Sequence, residues 1–344
     1  MPTSTFDTFF ACTIIVAVAL IGMAFLGSTM QTRIASTQDI NKDSYLKAIA
    51  DRIVTNPGMP VDWGTSSVLP VDFGLASGLS YSAYELDMDK ICRLNNLNNY
   101  SLSYLNLSNA AKLNVALGIK VSQLMTVTVL QLRNSTIGND TSFTFQVSTN
   151  IDSKPTSSSL HCYFAAGTYL TEVNASISDV GVGQVTIQTP TSEVEDAFLI
   201  AFARASIDDR ITSYAIYNFV RSTQESIPSS TNLALNPLNY TLSLNNTSLG
   251  VLNGYVLSYS YQHHLPSLEG SRAVIPKLLD KSPLVIIVKG TNGTNHFQEW
   301  TTYPQIPLKI GANFNGSEEN IFSYIATING ALYRLDLSLG DLPP

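Results

Sequence analysis

The residues able to carry acid–base or nucleophilic chemistry are few in this chain, and their spacing does not favour a site. The four histidines are His161, His263, His264 and His296. His263 and His264 are adjacent, and neighbouring side chains on a strand point to opposite faces, so they are poorly placed to share a metal. His161 beside Cys162 meets the same objection, and no Cys-x-x-Cys or Cys/His spacing indicates zinc. We therefore predict no metal site.

The acidic residues also fall short of a catalytic pattern. Glu193, Glu195 and Asp196 form one cluster and Asp208–Asp209 another, and both are predicted to lie in solvated turns. A glycosidase would need two carboxylates facing one groove. Asp87 and Asp89 lack the twelve-residue calcium-loop pattern and are better explained as helix caps.

Known catalytic signatures are missing from the sequence. It contains no GxSxG, HExxH, P-loop or GxGxxG motif. We predict no catalytic residue and no cofactor. A membrane-anchored hydrolase stays open as a third hypothesis, without support from spacing.

The sequence is rich in N-glycosylation sequons after its first 98 residues. Single sequons are weak signals, and the Ser- and Thr-rich composition supplies some by chance. Their abundance favours a glycan-coated domain facing outside the cell. The candidate N-glycosylation sites are Asn99, Asn106, Asn134, Asn139, Asn174, Asn239, Asn245, Asn246, Asn292 and Asn315.

The composition points away from nucleic acid. Charged residues are 13% of the chain, against about 25% in ordinary domains, and the net charge is −7. Because nucleic-acid phosphates require a basic surface, we exclude a nucleic-acid partner. A polar but weakly charged surface suits extracellular β-proteins.

The most informative segment is the apolar run from Phe9 to Leu26. It holds no charge, and eighteen residues at about 1.5 Å each nearly cross a bilayer core of roughly 30 Å. We predict one membrane span over residues 8–27. A cleaved signal peptide and a buried core helix remain alternatives. A lipoprotein anchor is excluded because Cys12 lies at the front of the run.

Two features of the sequence disagree about which side of the membrane the C-terminal part faces. No Lys or Arg precedes the span, whereas Arg33, Lys42 and Lys47 follow it, which taken alone favours a cytoplasmic C-terminal part. The composition and sequons outweigh this count, because large domains translocate despite a modest charge bias. We predict a single-pass membrane protein with its C-terminal part extracellular.

Two cysteines remain outside the span. Cys92 and Cys162 would form a disulfide outside the cell, closing a loop whose bridging stabilises by on the order of 4 kcal/mol. The alternative is two separate buried thiols.

After the span, an apolar stripe of Leu46, Ile49, Ala50 and Ile53 predicts a helix that Asn56-Pro57-Gly58 stops. The polar stretch 37–43 is a candidate interruption. A Pro/Gly-rich loop follows, in which Trp63 and Phe73 are predicted to pin the chain.

Beyond the loop the pattern changes from helices to strands. Short helices are predicted over 87–113, and β-branched runs with period two follow from Val115. Asn329-Gly330 predicts a β-hairpin, and Asn253-Gly254 and Asn292-Gly293 predict similar turns. We predict an α+β fold, with a long N-terminal transmembrane and stalk helix, short helices, and a mainly antiparallel head of one or two Ig-like β-sandwiches. The predicted domains are 1–56 (transmembrane helix and stalk), 57–113 (loop and short helices), 114–228 (first β-rich domain) and 229–344 (second β-sandwich).

Three motifs in the N-terminal third carry a family resemblance. They are Pro57-Gly58-Met59-Pro60-Val61-Asp62-Trp63, then Phe73-Gly74-Leu75-Ala76, then Leu86 through Leu94. With the preceding helix they resemble archaeal, membrane-anchored type IV pilin-like (pseudopilin-like) cell-surface proteins over residues 8–113. The resemblance implies secretion, anchoring and helix-mediated assembly with other copies or pilin-like subunits, and no catalysis. Met1–Asp7 lacks the basic-Gly cleavage motif of pilin precursors, so a permanently anchored subunit is expected.

These observations converge on a membrane-anchored, extracellular structural or adhesive glycoprotein, a pilin-like subunit of a surface assembly. The alternative is an extracellular ligand-binding module of a transport or sensing complex. The binding partner is not specified by the sequence.

Overall fold

A computed structural model describes residues 3–78, 83–96, 98–112, 114–166, 169–191, 197–219, 233–244, 249–265, 272–276, 280–292, 295–312, 314 and 319–340. The chain divides into two compact units, Met1–Asp51 and Arg52–Pro344. Each unit is described by itself below.

Helix α1 spans Thr3–Thr55. The first unit contains this helix as far as Asp51, and the last turn of the helix, from Arg52, belongs to the second unit. The helix runs unbroken through 37–43, so the predicted interruption there is wrong. The predicted apolar stripe of Leu46, Ile49, Ala50 and Ile53 is buried. The helix ends where the sequence predicted, because Pro57 cannot continue it and Gly58 takes a left-handed φ of 76°.

The second unit contains two further short helices, each capped by a polar side chain. In α2, Met88–Arg93, the Asp87 carboxylate accepts hydrogen bonds from the backbone N–H groups of Asp89 and Lys90. In α3, Tyr104–Ala111, Ser103 accepts one from Asn106. Both caps satisfy N–H groups that the helix cannot pair internally, and the predicted capping role of Asp87 is confirmed.

The remaining described elements are strands, and all but β1 lie after Val115, where strands were predicted. They are β1 (Glu85–Leu86), β2 (Ala116–Gln123), β3 (Met125–Ile137), β4 (Asp140–Ile151), β5 (Lys154–Pro155), β6 (Ser158–Ala166), β7 (Tyr169–Ile177), β8 (Val182–Pro190), β9 (Ala197–Ala205), β10 (Thr212–Phe219), β11 (Leu233–Asn236), β12 (Thr241–Leu244), β13 (Leu249–Leu257), β14 (Gln262–Leu265), β15 (Arg272–Val274), β16 (Leu284–Asn292), β17 (Asn295–Tyr303), β18 (Leu308–Gly311), β19 (Glu319–Ile328) and β20 (Ala331–Gly340).

Two of the sheets pack face to face around a large apolar core. The first sheet joins β3, β4, β5 and β8, and the central sheet has the order β10-β9-β6-β7. Phe143 and Phe145 from the first sheet meet Leu160, Cys162 and Phe164 from the central sheet. This pair of sheets gives the unit its sandwich-like character.

The central sheet is buried on its second face as well. A third sheet, β14-β13-β16-β17, lies on that side. Its Val285 and Ile287 pack with Tyr163, Phe198 and Phe202 of the central sheet. The central sheet is therefore the middle of three layers, which explains why β9 is apolar at successive positions instead of alternating.

Residues from both predicted β-domains form a single five-stranded sheet. Its order is β1-β19-β20-β2-β18, so β2 from 114–228 pairs with β18 and β20 from 229–344. The predicted boundary at 228 lies outside the described residues. The division into two separate sandwiches does not describe how the strands pair.

The Asn-Gly dipeptides behave differently from one another. Asn329 and Gly330, at φ 50° and 78°, form the tight turn between β19 and β20, as predicted. Asn292 ends β16 and pairs with Asn295 of β17, which confirms that hairpin. Asn253-Gly254 lies inside β13 beside a bulge, so the turn predicted there is wrong.

Candidate functional site

The apolar segment of α1 is the largest exposed hydrophobic feature of the described chain. Its large apolar side chains from Phe9 to Leu26 are each 57–70% exposed. It is the one described helix that is long and apolar enough to cross a membrane, judged by length and composition.

The polar side chains in and beside this segment bond to the helix itself. Thr13 Oγ1 donates to the carbonyl oxygen of Phe9 at 2.7 Å, and Ser28 Oγ donates to that of Phe25 at 2.9 Å. Such internal bonds leave the hydroxyls satisfied without water, as a hydrocarbon environment requires.

The Pro/Gly-rich loop after α1 is held by two buried cations from α2. Lys90 Nζ, whose side chain is fully buried, donates to the carbonyl oxygens of Pro57 at 2.8 Å and Ala76 at 2.7 Å. Arg93 donates to carbonyl oxygens of Trp63 and of Ser66, the latter at 2.7 Å. These side chains add to the loop's own backbone hydrogen bonds, such as the one from the Met59 N–H to the carbonyl oxygen of Asp72 at 3.0 Å.

Aromatic packing completes the hold on the loop. Trp63 is fully buried, lies 5.8 Å from Phe73 between ring centroids, and donates its indole N–H to the carbonyl oxygen of Gly74 at 3.0 Å. The predicted pinning role of Trp63 and Phe73 is confirmed. Lys90 and Arg93 were missed, although their three-residue spacing on a short helix, i and i+3, is a signal for one shared face.

Carboxylates around α2 complete the buried polar cluster. Burial raises the pKa of Asp87 and lowers that of Lys90, each partly offset by the opposite charge of the other. Asp89 accepts hydrogen bonds from the hydroxyls of Tyr240, at 2.6 Å, and Tyr303. Asp89 therefore fixes two distant tyrosines, which indicates a structural role.

The two cysteines predicted as a candidate disulfide are separate buried thiols. Cys162 lies in the core between the first and central sheets. Cys92 lies on α2, where Asn98 Nδ2 donates to its carbonyl oxygen at 2.7 Å. Burial raises the pKa of both thiols, that of Cys162 to about 12, so both are unreactive at neutral pH.

The histidines do not converge on a metal. Within the described ranges no group of three or more His, Cys, Asp or Glu side chains is placed to hold an ion. His161 packs on Tyr163 and its Nε2 lies 3.2 Å from Glu172 Oε2, while Cys162 points into the opposite core. His264 Nε2 lies 2.6 Å from Asn253 Oδ1. The cross-strand neighbour of His264 is Tyr255, and that of His263 is Val256.

Of the two predicted carboxylate clusters, the structure describes one, at Asp208–Asp209. Asp208 lies in an exposed turn and bonds Arg210, with Nη2 and Oδ2 2.7 Å apart, which confirms the solvated turn. Salt-bridging to Arg210 lowers the pKa of Asp208. Glu193, Glu195 and Asp196 lie outside the described residues.

Most described sequons present an accessible asparagine. Asn99, Asn134, Asn139, Asn174 and Asn239 are exposed. Asn106 is half-buried. Asn245, Asn246 and Asn315 lie outside the described residues, and the side chain of Asn292 is not described. Exposure is necessary for glycosylation, and these asparagines stay the predicted sites.

A groove of about 350 Å³ lies on one face of the five-stranded sheet. Its lining combines Gly118, Phe314 and Ile321 with charged side chains, including Lys120 and Asp336. Sequence reasoning missed this groove, because its residues come from strands that are more than 200 positions apart.

Comparison with known proteins adds little. No protein-family model and no curated protein matches the chain. Among solved structures, the chain is similar to red sea bream transglutaminase at 10% identity and TM-score 0.22, over 52% of this chain and 31% of that one. It is similar to HBP35 of Porphyromonas gingivalis at 11% identity and TM-score 0.17, over 52% of this chain and 63% of that one. The chain therefore spans less than two thirds of either structure, and scores this low carry no inference about fold or function.

Proposed function

We propose that this chain is a single-pass, membrane-anchored protein whose β-rich part faces outside the cell and serves a structural or adhesive role without catalysis. The observation that carries the proposal is the charge-free segment Phe9–Leu26, in which every large apolar side chain is exposed. Exposure of so large an apolar surface to water would be very unfavourable, whereas an apolar surface is what a transmembrane helix presents to the lipid.

Three further features support an outward-facing, pilin-like subunit. The exposed sequon asparagines and the 13% charge content suit an extracellular surface. The loop motifs that resemble archaeal pilin-like proteins are held rigidly by Lys90, Arg93 and Trp63. Ala17, Gly22 and Ala24 would allow close approach of neighbouring helices, so other copies are the proposed partners of α1. We also propose that the sandwich formed by the first and central sheets of the head is Ig-like.

The anchor is tested by charging the apolar segment. The full chain carrying Ile15→Lys and Ile21→Lys should leave the membrane fraction after carbonate washing, because each central lysine costs about 3 kcal/mol of insertion. Ser44→Lys, on the polar part of the same helix, is the matched control and should stay in the membrane. Retention of the double variant would contradict the anchor.

Orientation is tested by adding protease to intact cells and blotting for an epitope after Gly340. Loss of the epitope supports an extracellular head. Protection until the cells are lysed would contradict it, and would mean that the basic residues after the span set the topology.

The second candidate function is an extracellular ligand-binding module of a transport or sensing complex. The groove on the five-stranded sheet favours it, since its volume falls in the range of small-ligand sites, about 300–1,000 Å³. Neighbouring genes distinguish the two candidates: a secretion ATPase and a polytopic platform protein favour the pilin-like subunit, and transporter genes favour the binding module.

A further inference from the structure

The groove owes its depth to a row of small residues across four strands. Ile321 of β19 lies opposite Ser338 of β20, Ser338 opposite Gly118 of β2, and Gly118 opposite Gly311 of β18. Residues opposite one another in a sheet project to the same face. Three successive positions with little or no side chain therefore leave a trough beside Ile321.

Gly118 is a position of the trough where there is little room for a side chain. A Cβ atom there would lie 3.2 Å from the Cβ of Ser338 and 3.3 Å from Cε2 of Phe314. The glycine thus lets the Phe314 ring come close to the sheet. The ring forms an aromatic wall over a floor that is largely backbone.

A second row, parallel to the first, carries charge of both signs. Ser323, Asp336, Lys120 and Lys309 lie opposite one another in that order. Ser323 Oγ donates to Asp336 Oδ1 at 2.7 Å, and Lys120 Nζ lies 4.0 Å from Asp336 Oδ2. Glu319 also lines the groove. Two lysines and two carboxylates give it no net formal charge.

We propose that this groove binds a neutral saccharide of one or two rings. Sugar hydroxyls both donate and accept, so they match carboxylates and ammonium groups set side by side. The apolar face of a sugar ring would rest on Phe314 and Ile321. An anionic or cationic ligand would be attracted by one pair of charges and repelled by the other, so net charge would bring no overall gain. A wholly apolar ligand would desolvate four charged groups at high cost.

The sheet itself is free of sequons, because none of the described strands β1, β2, β18, β19 and β20 contains one. Among the candidate glycosylation sites, Asn315 directly follows Phe314 in the chain, so binding is measured on protein without N-glycans. The inference deepens the second candidate function by naming its ligand class. It does not depend on the anchor, since binding is a property of the groove, whereas fractionation and protease protection report on α1 and orientation.

The test measures binding to the full chain, made in a host that adds no N-glycans and purified in a detergent with a non-sugar head group. The probes are maltose, cellobiose, lactose and N,N′-diacetylchitobiose, with glycylglycine as a zwitterionic comparison, read by saturation-transfer NMR and titration calorimetry. At least one disaccharide should give saturable binding, and glycylglycine should give none.

Two variants and two matched controls locate the binding. Gly118→Val fills the trough, and Asp336→Asn removes one acceptor charge while keeping its shape; each should weaken binding at least tenfold. Ser122→Val, on the same face of β2 but outside the groove, and Asp208→Asn, in a distant turn, should bind as the unaltered chain does. If Gly118→Val misfolds by circular dichroism, Asp336→Asn alone decides. Absence of saccharide binding, saturable binding of glycylglycine instead, or full binding in Asp336→Asn would overturn the proposal.

Discussion

Two charge-free apolar runs in this protein have opposite fates. Phe9–Leu26 in α1 is exposed at every large apolar side chain, whereas Ala197–Ala203 in β9 is at most 3% exposed. The first is eighteen residues long and the second seven. Hydrophobicity alone therefore does not say what covers a segment; length and the available neighbours do.

The neighbours of β9 come from both sides of the central sheet. Leu199 and Ala201 face the first sheet, while Phe198, Ile200 and Phe202 face the third. A strand with protein on both faces must be apolar throughout, as parallel sheets usually are, although this sheet is antiparallel. The apolar run in α1 fits a different apolar solvent, the bilayer proposed above.

The largest expected effect comes from placing one charge in each run. Phe202→Asp buries an unpaired carboxylate in a core where even Phe→Ala costs about 3–5 kcal/mol, so the head should fail to fold. Phe10→Asp, in the exposed run, should leave the free energy of unfolding of the head unchanged. Urea unfolding followed by tryptophan fluorescence measures both.

Unfolding of Phe202→Asp at the same urea concentration as the unaltered chain would contradict the proposed difference between the buried and the exposed apolar run. Phe202→Ala is the milder variant. It should fold but lose stability, and it keeps the comparison measurable.

A smaller effect is expected where a buried and an exposed cation are compared. Arg93→Met removes the donor from the buried carbonyl oxygen of Trp63 and from the part-buried carbonyl oxygens of Ser66 and Tyr100, at roughly 1–3 kcal/mol each, so a loss of about 3 kcal/mol is expected. Arg52 pairs with Asp72 at 2.8 Å but is 58% exposed, so Arg52→Met should cost at most about 1 kcal/mol.

Guanidinium denaturation measures both stabilities, and limited proteolysis of the loop over 57–78 reports whether Arg93 holds it. Equal losses of stability in Arg93→Met and Arg52→Met would mean that burial does not decide how much each arginine contributes to the stability of the fold. Faster cleavage is expected for Arg93→Met only.

The effect that is smallest near pH 9, and that grows at higher pH, is a loss of stability caused by buried groups outside α1. Burial raises the pKa of the Cys162 thiol from 9.0 to about 12 and that of Tyr214 from 10.0 to about 12. Between these values the unfolded chain releases the proton and the folded chain keeps it. Stability therefore falls as pH rises, by about 1.4 kcal/mol per pH unit for each group.

Lys90 opposes this trend up to pH 10.5, because its lowered pKa makes the unfolded chain bind more protons there. The net loss should accordingly be steepest above pH 10.5. Cys162→Ala should reduce the slope of unfolding free energy against pH by the contribution of one group, about 1.4 kcal/mol per pH unit. The substitution also leaves a small cavity. A midpoint of unfolding that does not change between pH 9 and 11 in either protein would contradict the assignment.

Much of the local structure was predictable because its causes are local. The stop at Asn56-Pro57-Gly58, the Asp87 cap and the Asn329-Gly330 turn each rest on the conformational preferences of two or three residues. Strand β7, Tyr169–Ile177, was missed, because its polar and half-exposed residues do not give an apolar alternation.

Asn253-Gly254 shows where local reasoning fails. The dipeptide has the composition of a turn, yet it lies in β13 between two paired strands. A Cβ at Gly254 would lie 3.1 Å from the carbonyl oxygen of Ile287, and Asn253 Oδ1 accepts from the Gly254 N–H at 2.9 Å. The glycine serves close strand approach here, and the asparagine stabilises the adjacent bulge.

The sequence by itself determined the long apolar helix, the change to strands after Val115 and the hairpins at Asn292 and Asn329-Gly330, since periodicity and turn chemistry act over a few residues. It also lacks the GxSxG, HExxH, P-loop and GxGxxG motifs. Only the tertiary structure decided that the central sheet has protein on both faces, that Cys92 and Cys162 stay apart, and that Gly118, Asp336 and Ile321 line one groove. These outcomes depend on pairing between strands far apart in the chain, and no local pattern encodes which distant strands will meet.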